Sequence, residues 1–113
     1  MSDMMTDKAK IIGLLVISTL LGAVGQFYFK YSFANRGDFA VLMLVGLASY
    51  ALSTLIYLFV LSRVHLSFAY SMGGLSYIFA VILAALFLNE SVPLLRWAGV
   101  ITIAIGVVFI GLS

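Results

Sequence analysis

The sequence predicts an all-α integral membrane protein with four transmembrane helices, folded as a single domain over residues 1–113. Of these residues, 65% are hydrophobic, while only six are Lys or Arg and four are Asp or Glu. Apolar runs of about 20 residues, the length that crosses the hydrocarbon core of a bilayer, recur along the whole chain. This composition excludes a soluble domain and predicts a multi-pass membrane protein.

The four predicted helices cover residues 11–33, 39–62, 67–88 and 94–112. The first follows a short leader of mixed charge and is not followed by a small-residue cleavage site, so we expect a retained helix and not a signal peptide. Polar or turn-forming residues fill the three connections, and Pro93 suits the first turn of the last helix. Such short connections make consecutive helices antiparallel neighbours.

The first helix carries the most informative pattern, a stripe of small and polar residues. Ser18, Gly22, Gln26 and Lys30 are spaced four apart, which predicts that they share one helix face. Lys30 falls near a boundary of the hydrocarbon, where a cation suits the phosphate of a lipid headgroup. Two alternatives are structural: Lys30 can extend to the headgroups on its methylene stem, and Gln26 can hydrogen-bond to another helix.

Small and hydroxyl-bearing residues also occur on the other three helices. Glycines let membrane helices approach closely, and hydroxyls can hydrogen-bond between helices. The glycine pair Gly73-Gly74 in the third helix is also a candidate kink, because glycine lowers the cost of bending a helix. We expect Ser18, Ser71 and Tyr77 to line a substrate groove with Gln26 and Lys30. We assign hinge or packing roles to Gly22, Gly25, Gly73, Gly74, Gly99 and Gly106, the last two in a helix used for packing or dimerisation.

The basic residues do not decide an orientation. Lys8, Lys10 and Arg63 fall on one side of the predicted membrane, and Lys30, Arg36 and Arg96 on the other. The positive-inside rule therefore gives no preference. Either the count is too small to be informative, or the chain inserts both ways and forms an antiparallel, dual-topology dimer, as in transporters built from inverted repeats.

Several classes of function are disfavoured by what the sequence lacks. No Asp or Glu lies within a predicted span, whereas a proton-coupled cation exporter needs a membrane-embedded carboxylate. There is no cysteine, metal-ligand cluster, nucleophile–base pair or phosphate-binding loop, so we predict neither an enzyme nor a cofactor. No basic cluster suggests nucleic acid. Glu90, before the fourth helix, is a candidate substrate contact; capping or pairing with Arg96 is the alternative.

Residues 20–30 (LLGAVGQFYFK) resemble the first helix of the small multidrug resistance superfamily, within the drug/metabolite transporters. The similarity is greatest to aminoarabinose-phosphoundecaprenol flippase subunits and continues through residues 69–72, 89–93, 97–99 and 105–107. Gly22 and Gly73 stand where the drug exporters carry a glutamate and a tryptophan, which argues against drug export. Pro93 stands two residues later than the proline of the aminoarabinose subunits, which leaves the sugar open.

The resemblance implies a dimer that moves a polyprenyl-phosphate-linked sugar across the cytoplasmic membrane. Gln26, Lys30 and Glu90 fall on matching polar positions of the family. The implied partners are the lipid-linked sugar phosphate, membrane lipids and a second subunit, either another copy or a sister chain. Two alternatives remain at this point: an exporter of small organic cations, and a non-transporting accessory subunit of a membrane complex.

Overall fold

The computed structural model describes residues 2–113, with side chains described from residue 7 onward, and its regular structure over that range is helical. The helices are α1 (Ser2–Ala34), α2 (Phe39–Leu61), α3 (Leu66–Ser71), α4 (Gly74–Phe87) and α5 (Leu94–Leu112), with one 3₁₀ turn at Arg36–Asp38. Together α3 and α4 form the third of four segments long and apolar enough to span a membrane. The predicted all-α, four-span fold is therefore confirmed.

Helix α1 is the central element of the bundle. It packs along α2 on one side and against α4 on the other, while α5 packs on α4. A third of the α1 span is buried, against 6–11% of the other three spans. The residues of α1 therefore decide most of the contacts between helices.

The largest difference from the predicted helix boundaries lies at the start of α1. Helix α1 begins at Ser2 and not at residue 11, because the polar leader continues the helix beyond its apolar part. At about 1.5 Å per residue its 33 residues exceed the roughly 30 Å of a hydrocarbon core. Hydropathy locates the membrane-buried part of a helix and says little about where the helix itself begins.

The third span is interrupted at Met72 and Gly73, between α3 and α4. The amide of Gly73 donates to the Tyr70 carbonyl, and the amide of Ser76 donates to that of Gly73, both at 3.0 Å. These bonds to the third preceding residue tighten the chain into a 3₁₀-like turn. A Cβ on Gly73 would lie 2.8 Å from the Tyr70 oxygen, so a larger residue there would require this turn to shift.

The two ends of the bundle are packed differently. We call the end with the start of α1, residues 62–65 and the end of α5 the packed end. Here Leu15, Val60, Met72 and Val107 form one buried cluster that joins all four spans. The other end, with residues 35–38 and 88–93, is called the groove end, because α1 and α4 leave a groove between them there.

Candidate functional site

Hydrogen bonds join α1 to α2 across their interface, which we call the seam. The Ser18 hydroxyl donates to the Ser53 carbonyl at 2.8 Å, and the Ser53 hydroxyl donates to the Ser18 carbonyl at 2.6 Å. About one helical turn before Ser53 in α2, the Ser49 hydroxyl donates to the Leu21 carbonyl at 2.8 Å. Ser18 is 3% exposed, so its hydroxyl is fully engaged in this helix pair.

Glycines allow the close approach that these bonds require. A Cβ on Gly25 would lie 3.0 Å from the Gly46 carbonyl oxygen, and one on Gly46 would lie 2.8 Å from the Phe29 ring. A Cβ on Gly22 would lie 3.1 Å from the Ser53 hydroxyl. The seam is therefore a packed interface of the small-residue type found between membrane helices.

On its other side, α1 faces α4 across an open groove of about 270 Å³ at the groove end. Gln26 and Lys30 line it from α1, and both are exposed. Glu90 lines it from the connection that follows α4. The remaining wall is apolar and mostly small: Ala23, Phe27, Ala80, Val81, Ala84 and Leu88.

The structure thus brings together three of the six predicted substrate contacts and separates Ser18 from them. The reason lies in the helix itself. A step of four residues turns about 40° beyond a full turn, so the three steps from Ser18 to Lys30 turn about 120°. The stripe therefore winds from the face on α2, where Ser18 and Gly22 lie, to the face on α4, where Gln26 and Lys30 lie.

The other two predicted contacts do not line the groove. Ser71 is exposed at the end of α3. Tyr77 is 64% exposed on α4, seven residues before Ala84 and therefore on the same helix face, but beyond the inner limit of the groove.

The glycines with assigned hinge or packing roles fall into four groups, of which one is Gly73 in the turn between α3 and α4. Gly22 and Gly25 lie in the seam. Added Cβ atoms on Gly74 would lie 3.2 Å from Ile103 and Val107, so that glycine packs against α5. Around Gly99 and Gly106 an added Cβ would meet nothing within 4 Å, so within one subunit neither contributes close packing.

Glu90 is held beside the groove by an unusual turn. Asn89 has a φ of 55°, the only left-handed conformation of a non-glycine residue over residues 2–113. The amides of Leu88 and Glu90 both donate to the Ala84 carbonyl at 3.2 Å. The chain therefore folds back over the last turn of α4, and Glu90 comes to lie next to a groove-lining residue.

Sequence reasoning missed Phe27 and the alanines of the wall. Phe27 stacks on Tyr31 with ring centroids 5.7 Å apart and meets Phe87 of α4 edge-on at 6.0 Å. These contacts join α1 to α4 beside the groove. The spacing of Ala80 and Ala84 by four was the available signal, but their apolar surroundings gave no reason to prefer them to other alanines.

Residues 2–112 match the family described as the EamA-like transporter family. The chain belongs to that family. The match confirms the resemblance to the drug/metabolite transporters, and it identifies a transporter-family protein that crosses the cytoplasmic membrane several times.

Among curated relatives, the chain is 32% identical over 105 residues to a probable 4-amino-4-deoxy-L-arabinose-phosphoundecaprenol flippase subunit ArnE of Pseudomonas syringae. That alignment covers 87% of this chain and 97% of the relative. An ArnE of Enterobacter is 31% identical, again over 87% of the chain and over 94% of that relative. These matches confirm the similarity to aminoarabinose flippase subunits.

A probable flippase subunit ArnF of Photorhabdus laumondii is 45% identical over 69 residues, which are 59% of this chain. The aligned part spans about half, 55%, of that relative. No solved structure matches the chain. The similarity therefore extends to both kinds of subunit, ArnE along nearly its whole length and ArnF in part.

Proposed function

We propose that this chain is a subunit of a flippase that moves a polyprenyl-phosphate-linked sugar across the cytoplasmic membrane. The observation that carries the proposal is the groove between α1 and α4, in which Gln26 and Lys30 are exposed beside an apolar wall. The printed names of the ArnE and ArnF relatives describe subunits for such a lipid. Transport of this kind needs no covalent step.

Lys30 is assigned to the phosphate. Lys30 lies about one turn before the end of α1, where a cation can reach headgroup depth without crossing the hydrocarbon. A charge-assisted hydrogen bond to a phosphate oxygen is stronger than one between neutral groups. Gln26, one turn further in, offers both a donor and an acceptor to sugar hydroxyls.

The prenyl chain is assigned to the lipid outside the groove. Large apolar side chains cover the outer surfaces of the helices; Leu94 and Leu95 at the start of α5 are 86% and 84% exposed. Because only the headgroup is polar, only the headgroup needs a route lined by polar groups.

We further propose that the working unit is a pair, either of two copies of this chain or of this chain with a sister subunit. The relatives are named as subunits, and the balance of three basic residues against three permits both orientations. Mass spectrometry of the gently extracted complex tests this directly, since it reads the number of chains and the mass of any bound lipid.

The deciding variant is Lys30→Met, which keeps an unbranched side chain and removes the charge. We expect loss of transport and of a bound phosphoprenyl sugar, with the subunit assembly unchanged. Lys10→Met is the matched control, because Lys10 is an exposed lysine of the same helix at the packed end. Transport by the Lys30 variant at the rate of the control would refute the assigned role.

One observation favours a second candidate, an exporter of small organic cations: the groove contains a carboxylate, that of Glu90. Proton release on binding of a soluble cation by the detergent-extracted protein would support this function. Binding of a lipid-linked sugar without such release would exclude it.

A further inference from the structure

The groove has charges of both signs, although the flippase proposal uses only Lys30. Glu90 lines the same groove from the connection between α4 and α5, and it is exposed there. A headgroup with a phosphate alone would gain nothing from a carboxylate and would be repelled by it. A groove with a cation on α1 and an anion beyond α4 matches a headgroup that carries both signs of charge.

The backbone of Glu90 is held against the end of α4. Its own amide donates to the Ala84 carbonyl at 3.2 Å, and Ala84 is part of the groove wall. The left-handed conformation of Asn89 creates this turn. Asparagine is one of the few non-glycine residues that adopt it readily, whereas β-branched residues are strained there.

We propose that Glu90 determines the specificity of the groove for a cargo whose sugar carries a cationic amine, and that Asn89 is the residue that positions it. This rests on the proposed flippase function. The phosphate would be held by Lys30 at one wall, and the ammonium group of the sugar would donate hydrogen bonds to the Glu90 carboxylate at the other.

The test compares two cargo lipids that differ at one group. One is a polyprenyl phosphate bearing an amino sugar, and the other bears the same sugar with a hydroxyl in place of the amine. The complex purified from its native membrane is placed in vesicles, and membrane-impermeant periodate oxidises the sugar that remains in the outer leaflet. The initial rate is measured against cargo concentration, which separates KM from the maximal rate.

For the wild type we expect a preference for the amino sugar of at least about tenfold in KM, equivalent to about 1.4 kcal/mol. Glu90→Gln keeps the size and the hydrogen-bonding ability of the side chain but removes its charge. The KM values of the two cargo lipids should therefore become about equal in this variant. The KM of the amino cargo should rise about tenfold, while the KM of the hydroxyl cargo should not rise, because that headgroup has no cation for the carboxylate to attract. A merely structural role for Glu90 would instead lower the maximal rates of both cargo lipids together.

The positioning role is tested at Asn89 with two variants. Asn89→Gly accepts the left-handed conformation and should keep the amine preference. Asn89→Val opposes that conformation and should lose the preference while still moving the hydroxyl cargo. If the valine variant does not assemble, Asn89→Ala serves in its place with the same expectation. A wild-type preference in the valine or alanine variant would overturn the positioning role.

The failures of the two proposals are distinguishable. Wild-type protein that moves both lipids equally, or a Glu90→Gln variant that keeps the preference, overturns the specificity assignment and leaves the flippase standing. Wild-type protein that moves neither lipid overturns both.

Discussion

Helix α1 meets α2 on one side and faces α4 on the other, and small residues have opposite effects on the two sides. Toward α2, Gly25 and Gly46 bring the backbones together, and serine hydroxyls bond directly across the seam. Toward α4, Ala23, Ala80 and Ala84 leave space that no other side chain fills. Small residues therefore close the interface with α2, where glycines and serine hydroxyls lie on the facing helix, and leave a groove beside α4, where alanines face each other without such hydrogen bonds.

The comparison extends to polar groups. The hydroxyls of Ser18 and Ser53 are satisfied by protein, as buried hydroxyls in a membrane need to be. The ends of Gln26 and Lys30 are exposed in the groove. Polar residues of α1 that look alike in the sequence therefore differ in role. Ser18 faces α2 and is part of the packing, whereas Gln26 and Lys30 face the groove beside α4 and are candidates for binding.

The largest expected effect on stability comes from enlarging a seam glycine. In Gly25→Val the new Cβ would lie 3.0 Å from the backbone oxygen of Gly46, which cannot move away without shifting α2. We expect a loss of about 1–3 kcal/mol, the usual cost of overpacking, measured by thermal unfolding in detergent. Gly13→Val is the matched control on the same helix, since an added Cβ there meets nothing within 4 Å. Equal stability of the two variants would contradict the close seam.

Filling the groove should have the opposite signature. In Ala84→Leu the longer side chain would occupy the space between α4 and α1, which adds apolar contact and removes room for a headgroup. We expect unchanged or slightly higher thermal stability, with transport reduced by at least about tenfold, equivalent to about 1.4 kcal/mol. Ala51→Leu, at an exposed position of α2, controls for the added bulk. A groove without function predicts equal transport by both.

The smallest effect is expected at the serine pair. Ser53→Ala removes one hydroxyl that donates to Ser18 and leaves the Ser18 hydroxyl able to donate to the carbonyl of residue 53. Hydrogen bonds between membrane helices average about 0.6 kcal/mol, so we expect a loss of that order. A double-mutant cycle with Ser18→Ala measures the coupling. Additive effects would show that the two bonds act independently, and would weaken the case for one cooperative seam.

The sequence predicts the helices well where hydropathy alone decides their ends. The fourth predicted helix has the bounds of α5, and the second differs from α2 only at residue 62. Hydropathy does not predict the start of α1, because the residues there are helical but polar. The candidate kink at the Gly73–Gly74 pair lies where the third span is interrupted, between α3 and α4.

The candidate site is predicted only in part, for reasons that are geometric. Four-residue spacing suggests a single face, but its drift around an α-helix separates Ser18 from Lys30. The partner of Ser18 is 35 residues away in the chain, and no local pattern selects Ser53 for that role. Glu90 enters the groove because of the backbone conformation of Asn89, which a sequence pattern does not reveal.

The positions of the polar α1 residues in the groove limit how deep in the membrane a headgroup can be bound. From Lys30 to Gln26 the helix rises about 6 Å, and the next groove residue inward, Ala23, offers no hydrogen-bonding side chain. Beyond the groove, Tyr77 supplies the next polar group on the α4 face. A headgroup in this arrangement would be bound in the outer part of one leaflet and blocked from the midplane by apolar wall. The headgroup would then have to cover the remaining distance through a rearrangement of the helices and not by diffusion. The rate of that rearrangement would set the rate of transport, and tighter binding at Lys30 would slow transport.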